Sequence, residues 1–428
     1  MAPLPPQAEQ FHECDAPIAS ERQMMTSPGE ISTFRDEKVP ALIQSLQQLR
    51  PMIAGHAAAA EAQRSPVAQV ADALNDLGIF TLLMPERWGG AGLSTSGFAK
   101  VEIELAKADP AMAWVAQILN GTTWIATTAS DALQEALFAD GPALICGAYN
   151  PPGIARKVDG GYIVSGRWPY SSGSRQAAWA QCGCVLTDTG QPVTPGINMA
   201  YIPMDQITIE DSWFVTGLQG TGSDTTVAKD VFVPDHRMVT MERTFGHVED
   251  GKRHVGAPSD RFALVPLVRA TGLAQFVGAA EAMLEIVEAD SKLKPIVTTT
   301  YKHRTDSSVV VHDLGRVAAQ LDNARLLLFQ VTGQLDEAAL AGRPLAPLER
   351  AQHKALCAQA TELIHAVIEK LMFIAGSSAF SLASPLQRYW RDVHVGLRHI
   401  ANLPSLGYEV YGRDRLALSP NIIPVGAY

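Results

Sequence analysis

The stretch Gly160-Gly161-Tyr162-Ile163-Val164-Ser165-Gly166-Arg167-Trp168-Pro169-Tyr170-Ser171-Ser172-Gly173-Ser174 sets the reading of the chain. Paired glycines signal a tight turn, and the β-branched and aromatic residues after them predict a hairpin strand. The strand gives way to a loop that mixes aromatic rings with hydroxyls. Outward from here, Leu144 to about Met238 keeps the same texture, with short strand-forming runs broken by Gly, Pro, Asp and Asn. Thr226 to Val233 is a second such run and stops at Pro234. The middle of the chain therefore reads as a compact β-domain.

Helices flank it. Ser65-Pro66 is a start signal, Val70, Leu74 and Leu77 follow at helical spacing, and Gly78 is a C-terminal cap. Met84 to Gly92 is a turn-rich loop, and a helix covers Phe98 to Ala108. After Asp260 the helical period returns over Leu264–Ala289, Val309–Ala341, Pro347–Ala375 and Leu386–Tyr411. Such segments are twice or more the usual length of about 11–12 residues, and with short links they predict an antiparallel bundle. The expected organisation is a flexible tail (1–30), an N-terminal helical domain (31–142), a middle β-domain (143–255) and a C-terminal helical bundle (256–428). The fold class is α+β, mainly α.

The 428 residues are 47% hydrophobic and 18% charged, enough to bury a core without covalent staples. A formal net charge of -10 argues against nucleic acid or an anionic membrane surface as partner, since both need basic patches. The five cysteines, Cys14, Cys146, Cys182, Cys184 and Cys357, fit neither a zinc site nor a CxxC pair. No metal ligand set is expected. Cys182 and Cys184 share one face of a strand and read as packing thiols in a reducing cytoplasm. The first thirty residues carry no apolar signal region, and no run of 18 apolar residues suggests a membrane span.

Widely shared catalytic motifs are absent: there is no GxxxxGK[ST] loop, no HExxH and no GxSxG. Gly217-Leu218-Gln219-Gly220-Thr221-Gly222 has the wrong order for a dinucleotide fingerprint and leads into a strand, so a Rossmann site is rejected. Two stretches can carry chemistry. The loop Gly166 to Ser174 could lay a ring against a planar cofactor and offer hydroxyls to its polar edge. Taken on its residues alone, it reads first as an aromatic-anchored turn whose serines satisfy local backbone groups. In Arg388-Tyr389-Trp390-Arg391-Asp392-Val393-His394-Val395-Gly396-Leu397-Arg398-His399, the seven-residue spacing puts Asp392 and His399 on nearly one helix face, with His394 elsewhere. His399 there could donate a hydrogen bond or shuttle a proton in a cofactor pocket. The alternative is a structural Arg–Asp pair with a capped or solvent-facing histidine.

Taken in order, the helical, β and bundle zones resemble the acyl-CoA dehydrogenase superfamily. Leu83 to Gly90, Gly217 to Pro234, Gly272-Leu273-Ala274-Gln275 and Arg391-Asp392 are the family-like stretches. The loop Gly166–Ser174, Gly376-Ser377-Ser378 and Pro385–His394 with His399 are similar to its two-component flavin monooxygenase branch. That branch includes hydroxyphenylacetate hydroxylase oxygenase components, a steroid-ring hydroxylase, dibenzothiophene monooxygenase and indole oxygenases. The resemblance implies an N-terminal helical domain, a β-barrel-like middle domain and a C-terminal four-helix bundle.

For function, the resemblance implies reduced FMN or FAD supplied by a separate NAD(P)H-dependent flavin reductase. Oxygen would add at flavin C4a as a hydroperoxide and pass to an aromatic or heteroaromatic small molecule: indole-like, phenolic or thiophene-like. It gives catalytic roles to His399 and Ser171, and cofactor contacts to Trp168, Tyr170, Ser171, Ser172, Arg304 and Ser377. Trp114, Asn120 and Thr122 would line the substrate pocket, Thr122 taking the slot where phenol hydroxylases of the branch carry a histidine. Homotetramers are the family habit. A dehydrogenase would need a carboxylate nine positions after Arg391 or near Phe262; Ile400 and Phe262 stand there instead. Glu409 reads as a surface residue. The competing readings are a flavin dehydrogenase or oxidase with another base, and a catalytically silent flavin-binding fold.

Overall fold

The computed structural model describes residues 33–188, 191–192, 198–240, 256–419 and 422. The expected tail, with Cys14, lies outside them.

Helix α1 (Val39–Gln63) starts with a proline in its first turn and ends at Arg64, held at φ 52°. Helix α2 spans Ala68–Asp76, so it begins later than the Ser65-Pro66 signal suggests: extended Val67 precedes it and Ser65 does not cap. Gly78, at φ 69°, ends the turn after it, since a left-handed residue suits glycine. Helix α3 (Thr95–Ala106) is capped by the Ser94 hydroxyl, which accepts from the Gly97 N–H. Helix α4 (Pro110–Ala126) has Asp109 as its cap and Pro110 in its first turn, and α5 covers Asp131–Phe138.

The β-domain contains β1 (Ile145–Val158), β2 (Gly161–Trp168), β3 (Trp179–Asp188), β4 (Gln191–Pro192), β5 (Asn198–Pro203), β6 (Thr208–Glu210), β7 (Thr225–Pro234) and β8 (Met238–Thr240). The sheet order is β6-β7-β2-β1-β3-β5-β8, with β4 on β3. The β1–β2 hairpin turns at Gly160, as its sequence requires, with Val158 opposite Gly161. Strands β1 and β3 run parallel and the other pairs antiparallel. Cys146, Cys182 and Cys184 are buried free thiols packed with Trp168, Ala200 and Ile202.

The bundle has α6 (Leu264–Leu293), α7 (Ser308–Ala341) and α8 (Pro347–Ala375). The segment expected as one helix over Leu386–Tyr411 is two, α9 (Pro385–Gly396) and α10 (Pro404–Arg415). Pro404 is the reason: inside a helix it would lack its N–H and clash with the preceding turn, whereas in a first turn it costs nothing. A short 3-10 turn, Ile400–Asn402, joins them with His399 as its cap. Helix α6 is apolar and long enough to span a membrane, but 72% of its most apolar window is buried in this protein's own core. Leu273, Phe276, Leu328, Ile364 and Leu371 meet there, each such burial stabilising by roughly 1.5–3 kcal/mol.

Candidate active site

A chain of hydroxyls connects α4 to the loops of the β-domain. The Trp114 Nε1–H donates to Ser172 Oγ at 3.0 Å. Ser172 lies 2.6 Å from Ser223 Oγ, which lies 2.7 Å from Thr221 Oγ1. Thr221 donates to the Leu218 carbonyl at 2.8 Å. Each hydroxyl has one proton, so the direction follows from the ends: Thr221 spends its proton on Leu218, Ser223 donates to Thr221, and Ser172 donates to Ser223. Ser172 thus has its proton committed and a lone pair to spare.

His399 stands against the same indole, its ring centroid 5.8 Å from that of Trp114 in an edge-on arrangement. Phe276 meets Trp114 from α6 at 6.1 Å. Gly396 makes this junction possible: a Cβ there would lie 2.3 Å from the Phe276 ring. The Ala401 N–H donates to His399 Nδ1 at 3.3 Å. That contact assigns the ring proton to Nε2, so the free nitrogen is a donor. Crowding by protein atoms lowers the His399 pKa although the residue keeps an exposed edge, and the ring is neutral near pH 7. The chain breaks before His399, so Asp392 and His399 do not share a helix face as the spacing suggested.

The Arg391-Asp392 pair is structural and holds the 216–222 loop. Arg391 Nη2 meets Glu61 at 2.6 Å and Nη1 donates to the Thr216 carbonyl at 2.5 Å. Asp392 Oδ1 accepts from the Leu218 N–H at 2.6 Å. Burial pushes the Asp392 pKa up to about 7, against the pull of that N–H. Gly217 is pressed on α9, where a Cβ would lie 2.3 Å from the Arg391 carbonyl oxygen. These contacts set the position of Thr221 and Ser223, hence of Ser172.

The remaining expected site residues fall into three groups. Trp168 is fully buried in the β-domain core, its Nε1–H on the Gly183 carbonyl at 2.7 Å, so its ring packs against protein. Ser171 is also turned inward: its Oγ donates to the Trp168 carbonyl at 2.9 Å and lies 2.9 Å from Thr226 Oγ1. Ser172 is the hydroxyl that meets Trp114. Tyr170 differs from both. It is held at φ 62° and is 68% exposed, its ring edge-on to Trp213, a strained and solvent-facing residue beside the hydroxyl chain.

Asn120 and Thr122 face the N-terminal core. Asn120 Nδ2 donates to the Ile79 and Ala116 carbonyls at 2.7 and 2.9 Å, and its Oδ1 accepts from the Leu83 N–H. Thr122 donates within α4 to the Ile118 carbonyl at 2.8 Å and also contacts the Ile145 carbonyl. Their polar groups are spent on backbone. Of the three expected pocket residues, only Trp114 reaches His399. Sequence reasoning missed Phe276, Ser223 and Thr221; the last two stand in and just after the Gly217–Gly222 run dismissed as a dinucleotide loop.

Arg304 and Ser377 lie together elsewhere, in a pocket of about 460 Å³ with Lys370, Phe373, Gly376 and Ser378. Arg304 Nη2 donates to the Ala375 carbonyl at 2.7 Å, while its Nη1 is buried and has no partner. An orphaned guanidinium N–H beside serines suits an anionic oxygen such as a phosphate. Among the described residues no hydrogen bond or ring contact links this pocket to Trp114, Ser172 or His399. The Arg304 pocket could hold an anionic phosphate oxygen, and the Trp114–Ser172 hydroxyl chain is a separate polar feature.

Comparison with known proteins agrees. Residues 46–140 match the acyl-CoA dehydrogenase N-terminal domain and residues 271–404 the acyl-CoA dehydrogenase C-terminal domain. The chain is 33% identical over 396 residues to the flavin-dependent monooxygenase oxygenase subunit HsaA of Mycobacterium tuberculosis, covering 91% of this chain and 99% of that one. It is 30% identical over 373 residues to the oxygenase component of FADH(2)-dependent resorcinol hydroxylase from Rhizobium sp., covering 84% and 90%. The solved structure of XiaF from Streptomyces sp. in complex with FADH2 and glycerol superposes with a TM-score of 0.86 at 28% identity, over 91% of this chain and 98% of that one.

Proposed function

The chain belongs to the flavin-dependent monooxygenase oxygenase subunits of the acyl-CoA dehydrogenase superfamily, and from that premise we propose how its residues serve the reaction. It takes reduced flavin from a separate NAD(P)H-dependent reductase and oxygenates an aromatic small molecule beside Trp114 and His399. Reduced flavin, when bound, supplies the two electrons by which dioxygen gives one oxygen atom to substrate and one to water.

The observation that carries this reading is the polarity of the site. Ser172, its proton committed to Ser223, accepts from a ring N–H that reduced flavin has and oxidised flavin lacks. His399, its Nδ1 engaged by Ala401, donates from Nε2 to the oxygen side. Tyr170 offers an exposed ring to the flavin face. Trp114 and Phe276 give the substrate flat apolar walls. Arg304, with Ser377, takes the flavin phosphate.

Neither Ile400 nor Phe262 can abstract a proton from an acyl thioester, and Glu409 is exposed and paired with Arg413. The bundle also exposes Leu293, Val297, Val309, Phe373 and Leu382, which supports self-association into a homotetramer. The test is oxygen labelling. With reduced FMN or FAD, labelled dioxygen and a panel of phenols, indoles and thiophenes, one labelled oxygen atom enters an aromatic product only when the chain is present. Reduction of tightly bound oxidised flavin by an acyl-CoA would overturn the reading in favour of a dehydrogenase.

A further inference from the structure

Away from the hydroxyl chain, His365 and Glu369 stand one turn apart on α8 and face His394 on α9. One ligand atom from each lies within 4.8 Å of the others. The two imidazole rings meet edge-on at 5.0 Å, and His394 Nε2 is 2.7 Å from Glu369 Oε1. For metal–ligand bonds of about 2.1 Å, a tetrahedral ion holds its ligands roughly 3.4 Å apart, so small side-chain rotations close the set. We propose that His365, Glu369 and His394 form a binding site for a zinc-class divalent ion bridging α8 and α9.

The donor set decides the class of ion. Two imidazoles and one carboxylate suit Zn(II) and its borderline neighbours, whereas Mg(II) and Ca(II) prefer oxygen cages. Exposure of His365 leaves the fourth position to water. The Trp390 Nε1–H donates to Glu369 Oε1 at 2.9 Å, an outer contact of the kind that orients a ligating carboxylate. This departs from the sequence expectation of no metal ligands, because cysteine spacing carried that expectation and no cysteine is involved.

Arg398 competes with the ion. Its Nη1 donates to His394 Nδ1 at 3.1 Å, and arginine cannot accept, so His394 carries its proton on Nε2 and gives it to Glu369. Metal binding at Nε2 moves that proton to Nδ1, with no net proton lost, and obliges the exposed Arg398 to turn away. Occupancy therefore trades the residue before His399 against an ion.

The experiment uses untagged full-length protein freed of metal with a chelator. Co(II) titration should give one ion per chain with the ligand-field absorbance of a low-coordinate nitrogen–oxygen site, and Zn(II) should displace it. His365→Ala, an exposed substitution checked by unchanged Tm, should weaken binding by about tenfold or more. Arg398→Ala should tighten it. Equal Co(II) binding by wild type and H365A, or no ligand-field band in the wild type, overturns the site. No gain in R398A overturns the competition.

Discussion

Trp114 Nε1 and Ser172 Oγ are 3.0 Å apart, and this one bond carries the direction of the whole hydroxyl chain down to Leu218. Because the indole can only donate, Ser172 must accept from it and donate onward. The serine next to it, Ser171, is committed to Trp168 and Thr226 instead.

Replacing Ser172 with Ala should therefore weaken reduced-flavin binding by roughly tenfold, since it removes the acceptor. Ser171→Ala should change that affinity much less and act mainly on stability. Anaerobic fluorescence titration of the two variants checks this. Equal losses would return the flavin contact to Ser171.

His399 contributes a donor on Nε2. His399→Ala should lower product formed per reduced flavin consumed by about tenfold, with hydrogen peroxide making up the balance. Flavin affinity should change little. Peroxide assay beside product quantification decides it, and unchanged coupling removes the role.

Arg304 has an unpartnered buried Nη1 in a pocket it shares with Ser377. Arg304→Ala should weaken reduced FMN and FAD roughly tenfold to a hundredfold, the range of a charge-assisted bond, and leave reduced riboflavin unaffected. An equal loss for riboflavin would mean that Arg304 acts on the fold rather than on phosphate.

His353 is buried on α8, with Nε2 at 2.7 Å from Gln334 Oε1 and Nδ1 unpartnered. Burial pushes its pKa down to about 4, and Arg269 pushes the same way. The unfolded chain takes up a proton near pH 6.5 that the native protein refuses until about pH 4. Stability from this group is thus fully present above 6.5 and is lost as pH falls toward 4, by a total on the order of 3 kcal/mol. Urea unfolding from pH 7 to pH 4.5 should show a flatter slope for His353→Gln than for the wild type. Identical slopes would assign the acid sensitivity elsewhere.

Element types were largely readable because local signals agreed with burial. Gly160-Gly161 made its hairpin, and Pro347–Ala375 is the helix its period outlines. The split at His399 was missed although Pro404 announced it, because an apolar period ran across both halves. In the candidate site, aromatic and hydroxyl character singled out the 166–174 loop, whose Ser172 joins the hydroxyl chain, but side-chain direction within it was not legible. A left-handed Tyr170 after Trp168 turns Tyr170 out, and Ser171 and Ser172 to opposite partners, and a positive φ at a non-glycine residue has no sequence signature. That Asn120 and Thr122 bond to backbone was not legible for a related reason. Helix α4 is buried nearly all round, so no polar face shows which side meets a ligand.

The oxygenase assignment is tested most directly without any substrate. The chain loaded anaerobically with reduced flavin is mixed with oxygen in a stopped-flow instrument, and the return of oxidised-flavin absorbance is followed. An oxygenase site with the Ser172 acceptor and the His399 donor should delay that return well beyond free reduced flavin, with the delay shortened in H399A. Oxidised flavin returning as fast as it does free in solution would contradict the assignment.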